Sequence, residues 1–237
     1  MKLFQKIRKT LIKEGNMKRY LLYAIGEILL VMIGISLAFQ VNNWNDNRIK
    51  RSSELRYYEN LKNQISGDKM LIEEQKKFNN RYQEQFTYAA HLIEVNDRTK
   101  MDSLGIIVRD FTQYSDFDRQ GNIYETMVNS GEIKILHNSD IVNGIQYLEE
   151  KYMYLNRMEH IHYEAMMKHV IPIITTVVKF STAEIQKPEL IYHYEFQNLV
   201  FSLLQIMQEK DDVYNEAINQ IDNILELIDT ELHQNNL

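Results

Sequence analysis

From Leu21 to Val41 the chain reads LLYAIGEILLVMIGISLAFQV, an apolar run whose only charged residue is Glu27. A helix rises about 1.5 Å per residue, so about twenty such residues cross a bilayer's hydrocarbon core. After Trp44 the pattern turns polar, from Asn45 to Ser53. It then becomes periodic, with Tyr58, Leu61, Ile65, Asp68, Ile72, Gln75, Asn79, Tyr82, Phe86, Ala89 and Ile93 following heptad steps. Alternating steps of three and four mark one face of a helix, here with polar interruptions at Asp68, Gln75 and Asn79.

The remaining pattern predicts further helices. Residues 96–103 read as a loop, followed by a short helix through Ile106, Ile107, Val108 and Phe111. SDFDRQGN makes a second loop, and residues 123–130 form a short helix stopped by Gly131. A longer helix opens with Ser139 or Asp140 as N-cap and shows Ile141, Ile145, Leu148, Tyr152 and Leu155 on one face. Pro172 must kink or end it. IPIITTVVKF, residues 171–180, is too short to span a membrane and reads as buried helix or, second, as strand. Pro188 starts a helix from Leu190 to Met207, and a last helix carries Tyr214, Ala217, Ile221, Leu225, Ile228 and Leu232. The chain has only 2 Pro and 8 Gly, which favours helices over strands and turns.

The predicted fold is therefore all-α: one N-terminal transmembrane helix followed by an antiparallel helical bundle. Its parts are a cytoplasmic basic amphipathic arm (1–16), the transmembrane helix (17–44) and an extracytoplasmic helical-bundle domain (45–237) with a long stalk helix at 54–95. Carried forward, the face of Glu27 reaches Glu59, Lys62, Ser66 and Lys69, which are polar. So the stalk is expected to pack against later helices of its own chain rather than to prolong a membrane seam.

Charge sets the orientation. Residues 1–20 carry seven Lys/Arg against Glu14 alone, a net of +6, so with the whole chain at −6 the remainder carries −12. A basic arm on an acidic body suits an anionic lipid surface and argues against nucleic acid as partner. Seven basic residues precede the apolar segment, and Arg48, Lys50, Arg51 and Arg56 follow it, which places the N-terminus in the cytoplasm. Leu3, Phe4, Ile7 and Leu11 share a face among lysines and Gly15 follows, as in a helix lying on the leaflet. The alternative is a cleaved signal peptide ending near Ser36-Leu37-Ala38. Against it, the apolar run continues to Val41, contains Glu27, and is followed by Trp44 where an interfacial anchor belongs; Lys18 and Arg19 anchor the other end. Zero Cys leaves the redox compartment unread.

Glu27 is the costly residue. Alternate steps of three and four from it give Tyr20, Ala24, Val31, Gly34, Ala38 and Val41, and Gly34-x-x-x-Ala38 lets two helix backbones approach. Ala24, Glu27, Gly34 and Ala38 are thus the expected membrane helix contact. It would join either two copies of the chain or this chain and another membrane protein. A carboxylate there is protonated, shared across an interface, or facing a polar cavity.

The string KRYLLYAIGEILLVMIGISLAFQVNNWND, preceded by FQKIRKTLIKEG, resembles the N-terminal signature of an uncharacterised family of small single-pass membrane proteins of Bacteroidota. Tyr23, Ala24, Ile25, Gly26, Glu27, Ile28, Gly34, Gln40, Asn42, Asn43, Trp44 and Asn45 carry the resemblance. NIYETMVNSGEIKILHNSDI, residues 122–141, is similar to a second family segment. The resemblance implies an uncleaved anchor and an extracytoplasmic helical domain, and it brings no catalytic residues.

Chemistry is sparse. There is no Gly-rich phosphate loop, G-x-S-x-G elbow or HExxH. EHIHYEAMMKH holds an E-x-x-H pair, Glu159 and His162, with Met166 and His169 at the next helical steps. A di-iron bundle would need a second such pair, which is absent from the sequence, so Glu159, His162 and His169 are weak metal candidates. The reading expects no cofactor and no catalytic residues. It is a non-enzymatic single-pass protein of the bacterial inner membrane that binds or scaffolds a partner from its periplasmic domain. The alternatives are a sensor needing a separate cytoplasmic partner, or a proton- or ion-coupled subunit using Glu27.

Overall fold

The heptad stripe becomes the spine of the fold. The computed structural model describes residues 17–119 and 121–233. The arm expected at 1–16, with Leu3, Phe4, Ile7 and Leu11, lies outside the described residues, as does the Arg19 side chain. Helix α1 runs Met17–Glu94, 78 residues without a break. The polar stretch after Trp44 stays helical because it contains neither Pro nor Gly. Its side chains also pair along the surface: Asn42 Nδ2 donates to Asp46 Oδ2 at 3.1 Å, and Arg51 meets Glu54 at 2.6 Å.

The chain divides into two units, Met1–Glu54 and Leu55–Leu237. The described part of the first is helix alone, and its apolar residues from Leu21 to Val41 are largely exposed. An 18-residue window there reaches a mean hydropathy of 2.2 with none of it buried, so this helix is long and apolar enough to cross a membrane.

The second unit holds the rest of α1 and the following elements. A 3-10 turn, Arg98–Lys100, leads into α2, Met101–Arg109, and a second 3-10 turn, Asp110–Thr112. Then come α3, Ile123–Ser130, a 3-10 turn, Glu132–Ile135, and α4, Ser139–Ala165. A π turn, Met166–Val170, joins α4 to α5, Ile171–Val177. Strands β1, Val178–Lys179, and β2, Glu184–Ile185, make a small antiparallel hairpin. The one-turn α6, Pro188–Ile191, precedes the 40-residue α7, Tyr194–His233.

Helices α1 and α7 run antiparallel with a seven-residue register. Lys62 bonds Asp229 at 2.5 Å, Lys69 bonds Asp222 at 2.6 Å, Lys76 bonds Asn215 at 2.6 Å, and Gln83 bonds Gln208 at 2.9 Å. Each step of seven along α1 meets a step of seven back along α7, the repeat of a left-handed coiled coil. Helix α4 closes the bundle, antiparallel to α7 through Tyr154 to Glu209 and Gln220 to the Gly144 carbonyl. The stalk thus packs on its own chain, as its pattern predicts. Nine of its eleven heptad positions are buried, and Gln75 and Tyr82 are half-buried.

Local details differ from expectation. The cap of α4 is Asn138, whose Oδ1 accepts from the backbone N–H of Asp140 and Ile141, not Ser139 or Asp140. Met101 already begins α2, after Asp97 Oδ1 caps the preceding 3-10 turn at Thr99. Pro172 does not end the helical path, because the π turn before it widens the ladder at the point where the proline lacks a donor. Residues 171–180 are helix to Val177 and strand at Val178–Lys179. The helix begun by Pro188 lasts one turn, and the segments expected as two helices around Met207 and Tyr214 are one. The polar residues between them, Gln208 to Asp212, contain no helix breaker. The stop after α3 is as expected: Gly131 adopts φ 75°, open to glycine without steric cost.

Candidate functional site

Two apolar clusters fill the bundle, and a polar layer separates them. One contains Tyr58, Ile65, Ile72, Leu155, Tyr214 and Ile221; the other contains Phe86, Phe111, Met166, Val200 and Met207. Between them, each long helix presents a polar side chain to the interior: Asn79 from α1, Glu159 and His162 from α4, and Lys210 from α7, all at most 4% exposed. Burying such groups costs free energy unless they pair, so their arrangement identifies the part of the molecule with the most chemical potential.

The loop between α2 and α3 supplies most of the pairing. Lys210 Nζ donates to the Ser115 carbonyl at 2.6 Å. The Phe117 N–H donates to Glu159 Oε1 at 2.9 Å. The Tyr214 hydroxyl donates to the same oxygen at 3.1 Å and stands 3.0 Å from Ser115 Oγ. Asn79 Nδ2 donates to the Met207 carbonyl at 2.9 Å, which ties α1 into the layer. Gln75 Oε1 accepts the Asp116 N–H at 3.0 Å and holds the loop against the stalk. Two of the polar interruptions in the heptad stripe therefore serve this layer. The third, Asp68, is buried lower down beside the Tyr152 hydroxyl.

Burial governs the electrostatics. It raises the Glu159 carboxyl above the usual carboxylate range, against the opposing pull of Lys210 and the two donors on Oε1. It lowers the Lys210 ammonium, against the attraction of Glu159 and Asp116. His162 is pushed down to about 3 by burial and then by the Lys210 charge. Its imidazole is neutral, and among the described residues neither ring nitrogen has a hydrogen-bond partner. The Tyr214 phenol is raised, first by burial and then by Glu159, and stays protonated. The layer thus holds one acid and one amine whose charged forms are both disfavoured by burial, the arrangement from which proton-responsive and ligand sites are built.

Of the residues singled out by sequence, Glu159 and His162 enter this layer and His169 does not. The π turn explains the separation. It inserts extra arc after Ala165, so the buried positions run His162, Met166, Val170, Ile174 and Val177, and His169 is exposed. Among the described residues no group of three or more His, Asp or Glu is placed to hold a metal. Sequence reasoning missed Lys210, Ser115 and the role of Tyr214. Lys210 had a legible signal, since it occupies the core step between Met207 and Tyr214, where a lysine is out of place.

In the first unit, Ala24, Glu27, Gly34 and Ala38 fall on one stripe of α1, with Ala24 and Glu27 half-buried and Gly34 and Ala38 exposed. A Cβ built at Gly34 meets nothing within 4 Å. Lys18 is exposed, and Trp44 is 66% exposed.

A family model described as a family of unknown function (DUF6090) matches residues 27–206. The match covers Glu27, Ser115, Glu159 and His162 and ends before Lys210 and Tyr214. No curated protein and no solved structure matches the chain.

Proposed function

The chain belongs to DUF6090, a family of unknown function, and on that footing we propose that it is a single-pass protein of the bacterial inner membrane. In this reading the N-terminus is cytoplasmic and the helical bundle lies in the periplasm, where it binds or scaffolds a partner and catalyses nothing. The observation that carries the proposal is the run from Leu21 to Val41, which stays exposed while the residues after Leu55 bury a full core. A soluble protein does not leave so large an apolar surface open to water. The excess of basic residues before the segment supports the orientation. The bilayer is the first partner, with Lys18, Arg19 and Trp44 at its faces.

The chain has no Cys, so single cysteines report topology cleanly. With Met70, which is 71% exposed, replaced by Cys, an impermeant maleimide labels intact spheroplasts. With Lys2 replaced by Cys, labelling waits for lysis. A soluble, processed protein, or the opposite labelling order, overturns the proposal.

Within the bilayer, the stripe of Ala24, Glu27, Gly34 and Ala38 is a helix–helix contact, with a second copy or another membrane protein. Crosslinking in native membranes tests it. Gly34→Leu and Glu27→Gln reduce the crosslinked species if the stripe is a contact. Species unchanged in both variants, with function lost in Glu27→Gln, would favour proton or ion coupling through Glu27.

A further inference from the structure

The two apolar clusters meet no common residue at the polar layer. On α1 no residue between Ile72 and Tyr82 belongs to either cluster, on α4 none between Leu155 and Met166, and on α7 none between Met207 and Val213. The loop between α2 and α3 crosses at the same level. Its Tyr114 packs on the Phe86 cluster and its Phe117 lies in the Tyr58 cluster, with Ser115 and Asp116 between them. Continuous apolar packing makes a bundle open all at once, because each displaced side chain unpacks its neighbours. Here that continuity is interrupted, and the polar groups in its place are incompletely satisfied. Asn79 Oδ1 and both His162 ring nitrogens are buried without a partner among the described residues. Water reaching the layer would satisfy those atoms, which offsets part of the cost of parting the core there. The α4 ladder also changes at this point, where the π turn Met166–Val170 begins one turn after His162.

The two ends of the bundle are built differently. Around the Phe86 cluster the pieces between the long helices are short: α2 has nine residues, α5 seven, α6 four and each strand two. Helices of that length hold little structure by themselves and depend on the cluster they cover. The Tyr58 cluster draws most of its residues from α1, α4 and α7, and α4 alone has 27 residues.

We infer that the polar layer is a joint at which the Phe86 end of the bundle opens as a unit while the Tyr58 end stays folded, with the α2–α3 loop as the strap across it. The strap is held by one side chain from each long helix. Gln75 accepts the Asp116 N–H, Glu159 accepts the Phe117 N–H, and Lys210 donates to the Ser115 carbonyl. Elements that move when a partner binds come from the low-stability part of a fold, and the joint gives this bundle such a part.

The test is native-state hydrogen exchange of the full chain in detergent, followed by mass spectrometry at urea concentrations below the unfolding midpoint. Peptides covering 101–109 and 198–206 report the Phe86 end; those covering 141–155 and 214–228 report the Tyr58 end. The first pair is expected to exchange about tenfold faster or more, through an opening with a weaker urea dependence, since less surface is exposed. One opening with a single urea dependence for all four peptides overturns the inference. Val200→Ala, inside the Phe86 cluster, is expected to speed exchange of the first pair and leave the second unchanged. Equal acceleration of all four overturns it as well. Should that variant fail to fold, the wild-type comparison decides alone. Gln75→Ala takes the acceptor from the Asp116 N–H and is expected to speed the first pair severalfold; unchanged exchange there overturns the part given to the strap.

Discussion

The Tyr214 hydroxyl, on α7, donates to Glu159 Oε1, on α4, at 3.1 Å, while Ser115 Oγ of the intervening loop stands 3.0 Å from the same hydroxyl. One phenol thus links two long helices and the loop that crosses them, in the interior where water cannot substitute. Removing it leaves both partners short of a bond. Tyr214→Phe is expected to lower stability by about 2 kcal/mol, as for a hydrogen bond to an ionisable group. Urea unfolding should show a lower midpoint with an unchanged slope.

Lys210 and Glu159 compensate each other within the layer. Lys210→Met alone leaves a buried carboxyl without its cation and is expected to cost about 3 kcal/mol at alkaline pH, and less at acidic pH where Glu159 is protonated. The double variant Lys210→Met with Glu159→Gln should recover more than half of that loss. A double-mutant cycle with no coupling would show that the two groups act independently.

His162 makes the fold acid-sensitive. Its folded-state value is about 3 against the ordinary 6.5, so between those values the unfolded chain binds the extra proton. The stabilisation is fully present above 6.5 and is lost as pH falls toward 3. Glu159 acts oppositely: its raised value makes the protonated folded form the favoured one, and stability declines as pH rises above its ordinary 4.5. The difference between wild type and His162→Phe isolates the histidine. The variant is expected to be more stable by about 1–2 kcal/mol near neutrality, having no unpaired ring nitrogens to bury. Its melting temperature should also fall less on acidification.

The ladder between α1 and α7 sets register more than stability. Lys69 and its partner Asp222 are 26% and 51% exposed, and an exposed pair of this kind contributes about 0.5 kcal/mol. Ile72, one helical step away, is fully buried, and Ile72→Ala should cost about 2–5 kcal/mol. Thermal melts of Lys69→Ala and Ile72→Ala should therefore differ severalfold in their shifts.

At Gly105 the α2 backbone runs close against the hairpin. A Cβ there would lie 2.0 Å from the Ala183 carbonyl oxygen of the hairpin, with no flexible side chain to yield. Gly105→Ala should force α2 off the hairpin and cost about 2–3 kcal/mol, despite alanine's better helix propensity. A variant as stable as wild type would mean that the hairpin shifts freely.

Much of the bundle was legible because helix faces repeat. The stripe from Tyr58 to Ile93, apart from half-buried Gln75 and Tyr82, and the face of α4 from Ile141 to Leu155 are buried as their spacing implies. The joints were less legible. Whether a polar stretch such as Asn45 to Ser53 or Gln208 to Asp212 breaks a helix depends on hydrogen bonds and packing on either side, and composition leaves both outcomes open. The π turn before Pro172 has no residue pattern of its own, and it is what removed His169 from the face of His162.

By itself, the sequence determined the apolar length of the first helix, the helical class of the rest, and the side of each helix that turns inward. These follow from residue hydrophobicity and the fixed period of the helix, which need no knowledge of neighbours. Only the tertiary structure decided that Glu159, His162, Lys210 and the Ser115 loop form one layer. Lys210 lies 95 residues from the carbonyl it bonds, and Glu159 lies 42 from the N–H it accepts. Such meetings depend on the register between helices, which is set by how whole faces interlock rather than by any local run of residues.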